Sequence, residues 1–170
     1  MTATTPGTTA PRTTIPRTTI PSTPLSRPTA PTPRAAEDSR WALLVESVRE
    51  AGQYPTTREA ERITRIVLSA LGGQVIGDER VALARALPEE AARVIASQIP
   101  ATRRLTAPEF VDSVATRIEG ATPATARWDV SSVLSVLPPL IGEALTTRIL
   151  NDLPTGYALL FGRADLAARG

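Results

Sequence analysis

The sequence predicts an all-α protein, in which two tandem helical repeats of about four helices each pack as one bundle behind a disordered N-terminal tail. Threonine and proline are concentrated in residues 1–36. From Asp38 onward, apolar residues recur with the period of an α-helix. The same order of capping and apolar residues returns 66 residues later. We therefore divide the chain into the tail (1–36), repeat 1 (37–100), a linker (101–106), and repeat 2 with a C-terminal segment (107–170).

The tail is predicted to be disordered because its prolines remove backbone donors and its apolar content is too small to offset the entropy of ordering. One pentapeptide, residues 11–15, is repeated at once as residues 16–20. Each copy carries one arginine, Arg12 or Arg17, and we consider both as candidates for binding a partner. The composition leaves four roles open for the tail: a spacer, a docking motif, a targeting peptide or a phosphorylation site.

Repeat 1 begins with two amphipathic helices. The first starts near Asp38 and ends at Gly52, which we place just after the helix C-terminus. The second opens with a capping box between Thr56 and Glu59 and stops at Gly72-Gly73. The apolar residues of these helices that we expect to face the core are Trp41, Leu44, Val45, Val48, Ala60, Ile63, Val67, Ala70 and Leu71.

Two shorter helices complete repeat 1. Asp78 is a candidate N-cap for the third helix, and Pro88 suits the first turn of the fourth. Acidic residues in the first turns, such as Glu89 and Glu90 directly after Pro88, complement the helix dipole. We therefore assign these carboxylates to helix stability and not to a catalytic pair. Pro100 ends the repeat.

Repeat 2 copies repeat 1 at a constant offset, which indicates an internal duplication. Pro138-Pro139 stands where repeat 1 has Gly72-Gly73, so we expect a helix break at both places. Ile76-Gly77 returns at an offset of 65, as Ile141-Gly142. The residues that return at an offset of 66 are Val45-Glu46-Ser47-Val48 as Val111-Asp112-Ser113-Val114, Thr56 as Thr122, Val67-Leu68-Ser69 as Val133-Leu134-Ser135, and Leu87-Pro88 as Leu153-Pro154.

This duplicated pattern resembles the bacterial family catalogued as domain of unknown function 2267, over about residues 39–165. The resemblance rests on the Val-acid-Ser-Val segment of the first helix, the Val-Leu-Ser segment of the second and the Leu-Pro that closes each unit. It implies tandem helical repeats. It implies no reaction, cofactor or catalytic residue.

Cysteine and histidine are both absent from the chain. Their absence excludes disulfides, thiolate nucleophiles, Ser-His and Cys-His pairs, and cysteine- or histidine-ligated metals. The glycines lack the lysine and serine or threonine of a phosphate-binding loop. We therefore expect a protein that is not an enzyme and that has no catalytic residue, cofactor or metal.

The charge of the chain is divided between tail and repeats. The tail has four arginines and no acidic residue, a charge of +4, which leaves −2 for the rest because the whole chain is +2. A slightly acidic body argues against nucleic acid as a partner. No signal-peptide pattern or membrane-spanning apolar stretch occurs, so we expect a cytoplasmic protein. We also expect it to bind a protein partner, which the sequence does not identify. The sequence predicts no oligomeric state.

Three residues outside the tail are also candidates for partner binding. Arg103 and Arg104 are adjacent in the linker, where they suit either phosphate binding or a solvated connection. Trp128 lies away from the apolar stripe of its helix, at the position where repeat 1 has Arg62. It is either covered by repeat 1 or by residues 157–166, or it is an exposed anchor. We expect substantial burial.

The function that requires the fewest further features of the sequence is that of a non-enzymatic helical interaction or scaffold module addressed by its disordered tail. The alternative is a cargo or adaptor protein that an N-terminal targeting peptide recruits to a larger bacterial assembly. That alternative rests on analogy with other disordered, proline-rich N-termini.

Overall fold

The structure is a computed structural model that describes residues 1–11, 16 and 30–163, and the chain divides into the units Met1–Ala30 and Pro31–Gly170. The described residues of the first unit are exposed and form neither helix nor strand. Residues 12–15 and 17–29 of the predicted tail lie outside the described part. The disorder of the tail therefore stays a prediction.

The second unit is all-α over residues 31–163, as predicted: it has nine helices and no strand in that range. Helix α2 packs against helices from both halves of the unit, namely α1, α4, α5 and α6, and one continuous hydrophobic core joins them. The helices are α1 (Pro33–Gly52), α2 (Thr57–Gln74), α3 (Gly77–Ala86), α4 (Glu89–Ala96), α5 (Ala107–Ala115), α6 (Pro123–Leu134), α7 (Leu137–Ile141), α8 (Glu143–Asp152) and α9 (Tyr157–Leu160).

Helix α1 begins at Pro33, inside the segment that we assigned to the tail, and this corrects the predicted start near Asp38. The side chain of Thr32 accepts the N–H of Ala35 at 3.2 Å, and Pro33 presets the backbone of the first turn. The added residues have a tertiary role, because a carboxylate oxygen of Glu37 accepts the backbone N–H of Glu89 at 3.0 Å and so caps α4.

Gly52 and Gly72-Gly73 are not helix stops, which corrects two expectations. Gly52 is the last residue of α1, and the left-handed conformation belongs to Gln53, whose φ is 55°. A Cβ at Gly52 would overlap the ring of Tyr54. Helix α2 continues through both later glycines to Gln74, and a Cβ at Gly72 would lie 2.9 Å from a backbone oxygen of α4. Glycine is therefore required at residues 52 and 72 by close packing, not by helix termination.

A helix ends near the predicted break in both halves, but neither residue pair is itself the break, because Gly72-Gly73 lie inside α2 and Pro138-Pro139 lie inside α7. Helix α6 ends at Leu134, and the Pro138-Pro139 pair opens the five-residue helix α7. Proline blocks the continuation of a helix because its ring clashes with the preceding turn, whereas glycine only weakens a helix. Gly72-Gly73 and Pro138-Pro139 are therefore not equivalent as helix-breaking signals.

Helices α3 and α8 begin alike, at glycines with positive φ: 65° at Gly77 and 88° at Gly142. Asp78 is not the N-cap that we expected, since Ile76 occupies that position without a side-chain hydrogen bond. Asp78 lies instead in the first turn, where its charge complements the helix dipole.

Three apolar pairs that correspond at an offset of 66 residues are buried in both halves, as expected. Val67 and Val133 are fully buried, and each packs in the one core of the unit. Thr56 and Thr122 both cap their helices, although the full reciprocal capping box is found at Thr122 and not at Thr56. The other buried pairs are Val45 with Val111 and Leu87 with Leu153.

Candidate functional site

Trp128 is half-exposed, with 55% of its surface accessible, so the predicted burial is wrong. Helix α6 presents the ring at the C-terminal end of α1, where the indole N–H donates to the carbonyl oxygen of Gly52 at 3.1 Å. The first half of the unit therefore holds one edge of the ring without covering its surface.

The C-terminal segment expected to cover Trp128 packs elsewhere. Tyr157, the first residue of α9, is fully buried, and its ring lies 5.4 Å from the ring of Phe110 on α5. Its hydroxyl donates to the carbonyl oxygen of Leu105 at 2.9 Å. These contacts of the Tyr157 ring and hydroxyl hold α9 against the core. Residues 164–166 of the expected cover lie outside the described part of the chain.

A buried polar pair lies beside Trp128 and ties the same two helices together. The hydroxyl of Tyr54, just after α1, donates to a carboxylate oxygen of Asp129 at 2.5 Å. Burial raises the pKa of Asp129, although the Tyr54 hydrogen bond opposes that shift. Burial and the neighbouring carboxylate raise the pKa of Tyr54. The pair and the Trp128 hydrogen bond together fix the position of α6 against α1.

Sequence reasoning missed this pair, although one signal pointed to it. Asp129 stands 66 residues after Ile63, an apolar residue that is buried in α2. A charged residue at a position where the other half has a core residue needs a buried partner, because an unpaired buried charge is unfavourable. Its partner, Tyr54, is 75 residues away in the chain.

We expect the pair to make stability depend on pH through Asp129. Because its folded-state pKa is raised, the folded protein holds the proton more tightly than the unfolded chain. The contribution of Asp129 to the stability of the fold is therefore fully present below its ordinary pKa of 3.8, and it is lost as the pH rises through the raised pKa of the folded protein. Asp129→Asn should remove this loss. Urea unfolding at several pH values between about 4 and 8 measures it.

Tyr54→Phe is the complementary test, because it leaves the buried carboxylate without its donor. We expect a loss of about 1–3 kcal/mol in the free energy of unfolding near neutral pH. Because the Tyr54 hydrogen bond opposes the shift, its removal also raises the Asp129 pKa further in the native protein, so the variant should lose stability over a wider pH range. The same loss at every pH would contradict the role assigned to Asp129.

An apolar groove lies on the side of α6 that faces α5 and α9. It has a volume of about 440 Å³. Val111 of α5 and Leu160 of α9 form part of its wall, while Leu159 remains half-exposed at the edge. Arg127, the neighbour of Trp128, also lines it. Helix α6 therefore carries two adjoining surfaces available to a partner, the Trp128 ring and this groove.

A second cavity, of about 300 Å³, lies between the start of α1 and α4, and it is polar. Four acidic residues line it, and all but Asp38 are paired within the chain. Glu37 pairs with Arg40, Glu89 with Arg93, and Glu90 with Arg65. The N–H of Glu89 and the side chain of Arg40 lower the pKa of Glu37. These paired carboxylates are arranged as structural ion pairs, and the lowered pKa of Glu37 is the opposite of what a general acid needs.

Both linker arginines pair with acidic residues of the same chain. Arg103 lies 3.1 Å from a carboxylate oxygen of Glu109, and Arg104 lies 3.0 Å from Asp152. The second pair connects the linker to α8. A partner would have to compete with these carboxylates. Arg12 and Arg17 lie outside the described residues, so the structure does not place them.

Over the described residues, no helix is both long enough and apolar enough to cross a membrane. In the same part of the chain, no three acidic side chains cluster in a way that could hold a metal ion.

A comparison with curated proteins gives no match. A family model described as an uncharacterized conserved protein (DUF2267) matches residues 41–160, which span α2 to α9 and most of α1. The chain therefore belongs to the DUF2267 family.

Proposed function

We propose that this chain is a non-enzymatic, cytoplasmic interaction module built from a duplicated helical unit and addressed by its N-terminal tail. The observation that carries the proposal is the half-exposed indole of Trp128, which a hydrogen bond to Gly52 holds in place. Large aromatic side chains in a fixed orientation are frequent anchors of protein interfaces, because little entropy is lost when they are covered.

Local geometry supports the duplication. Leu87 and Leu153 both end a ten-residue helix in an extended conformation, and both are buried. Gly77 and Gly142 take positive φ at the start of those two helices. Thr122 repeats the N-cap hydrogen bond that Thr56 makes. We propose that residues 37–100 and 107–163 derive from one ancestral unit.

Trp128→Ala tests the proposed interface. The variant loses one hydrogen bond and the buried half of the ring, so we expect a loss of about 1–3 kcal/mol in stability. Recovery of a specific partner by affinity purification from the source cells should fall at least about tenfold, because interface anchors of this type contribute about 2 kcal/mol or more. Trp128→Phe keeps an aromatic surface and should retain most of the binding.

Arg62→Ala is the matched control. Arg62 is exposed on α2 at the position that corresponds to Trp128 in the other half. This variant should recover the partner as the wild type does. Equal recovery by Trp128→Ala and wild type would contradict the proposed interface.

The alternative function, a cargo or adaptor addressed to an assembly by its tail, is tested by deleting residues 1–30. The deletion spares Thr32, whose side chain caps α1, and keeps the whole of that helix. The interaction module predicts that the shortened chain still recovers its partner. A folded, shortened chain that no longer reaches the assembly would favour the alternative.

A further inference from the structure

The groove between α5, α6 and α9 is larger and more apolar than the corresponding cavity of the first half, because smaller, uncharged residues line it at three corresponding positions. At the offset of 66 residues, Ala107 of α5 corresponds to Trp41 of α1. Gly156, before α9, corresponds to Glu90 of α4, and Leu159 corresponds to Arg93. Trp41, Glu90 and Arg93 line one cavity in the first half, and Ala107, Gly156 and Leu159 line the groove in the second.

In the first half the indole of Trp41 occupies part of the corresponding space and forms a wall of the cavity there. The ring of Trp41 is half-buried against the core and lies under the guanidinium of Arg65, 4.9 Å from the ring centroid. Arg65 in turn pairs with Glu61 at 2.9 Å and with Glu90 at 2.6 Å. The first half therefore shows which chemistry this architecture accommodates: an aromatic ring next to a carboxylate–guanidinium pair.

The second half keeps the apolar wall but lacks the ring, and its acidic lining residue, Asp112, stands at the position of Glu46 and not at that of Glu61 or Glu90. Arg127 stands at the position of Glu61 and Ser131 at that of Arg65. Arg127 is exposed at the groove and forms no ion pair with a carboxylate in the described residues. Asp112 lines the groove as well but forms no ion pair with Arg127, so an acidic group that enters next to Arg127 would meet a complementary charge.

We propose that the groove binds a segment of another protein that inserts an aromatic side chain beside an acidic residue, in the place that Trp41 occupies in the first half. The proposal rests on the interaction function and on the duplication proposed above. A second copy of this chain fits poorly, because its exposed Trp128 would bring Arg127 towards the groove arginine. Residues 1–36 contain neither an aromatic nor an acidic residue.

The test is a titration of the ¹⁵N-labelled full chain with N-acetyl-L-tryptophan, which carries an indole and a carboxylate. We expect saturable shifts at the amides of Ala107, Val111 and Leu159. N-acetyl-L-tryptophanamide, which lacks the carboxylate, should bind about 2–5-fold more weakly, because an exposed ion pair contributes little. Shifts that map outside the groove, or no saturable shift, would overturn the proposal.

Two variants separate occupation of the groove from loss of the fold. Ala107→Trp should fill the groove with the chain's own indole and abolish the shifts. Leu159→Asp changes a half-exposed residue, so it should keep the urea midpoint of the wild type. It should weaken binding of the probe at least about tenfold, because it adds a charge of the same sign as the probe's carboxylate and removes apolar contact. Leu43→Asp, at an exposed position of α1, is the matched control and should bind the probe normally. Normal binding by Leu159→Asp would also overturn the proposal.

Trp128→Ala distinguishes this proposal from the proposed function. The probe should still bind that variant, because Trp128 is not among the residues that line the groove. If the probe binds but Trp128→Ala recovers the partner normally, the interface at Trp128 fails and the groove stands. If the probe does not bind but Trp128→Ala loses the partner, the groove fails and the interaction function stands.

Discussion

Replacing Phe110 with alanine should lower the free energy of unfolding by about 3–5 kcal/mol, the largest effect that we expect from a single substitution. The ring is 1% exposed and packs between α5 and the buried ring of Tyr157 on α9. The substitution removes both the apolar burial and the aromatic contact, and it leaves a cavity that the neighbouring helices cannot easily close. Urea unfolding followed by tryptophan fluorescence measures the loss.

Phe110→Leu is the control for this prediction. Leucine is the residue at the corresponding position of the first half, Leu44, which is equally buried. A leucine fills most of the volume, so the loss should stay below about 2 kcal/mol. An alanine variant as stable as the leucine variant would mean that the contact between α5 and α9 contributes little to the core.

Arg80→Ala should have the second-largest effect, a loss of about 3 kcal/mol, because one guanidinium satisfies the ends of two helices. One terminal nitrogen of Arg80 donates to the carbonyl oxygens of Ile95 and Gln98, both at 2.6 Å. The other donates to the carbonyl oxygen of Gly72. The part-buried side chain therefore links the C-terminal end of α2 to that of α4. Its loss leaves the carbonyl oxygens of Gly72 and Gln98 without this donor, whereas that of Ile95 keeps the backbone N–H of Gln98 at 3.2 Å.

Arg85→Ala is the matched control, since Arg85 is exposed on the same helix, α3. Removal of an exposed arginine should change the stability by no more than about 0.5 kcal/mol. Arg80→Lys keeps the charge, but an ammonium lacks the planar fork that reaches both helix ends, so we expect an intermediate loss. Equal urea midpoints for Arg80→Ala and Arg85→Ala would contradict the capping role.

Some expectations failed although a local signal was present. The Thr32-Pro33 pair is an N-cap with a proline that suits the first helical turn, yet Thr5-Pro6 is the same pair and no helix follows it in residues 7–11. Whether such a pair starts a helix depends on the tertiary contacts of the next residues. The first turns of α1 contact α4 through Glu37, and no local pattern reveals that contact.

The sequence by itself determined the all-α class, the threonine caps at Thr56 and Thr122, and the burial of pairs such as Val67 and Val133. These features depend on residues within one or two helical turns of each other, so a periodic pattern is sufficient to predict them. Only the tertiary structure decided that Trp128 is half-exposed and that Asp129 has a buried donor. The reason is physical: a helix pattern shows which face is apolar, but distant elements that pack on the remaining faces decide what covers them.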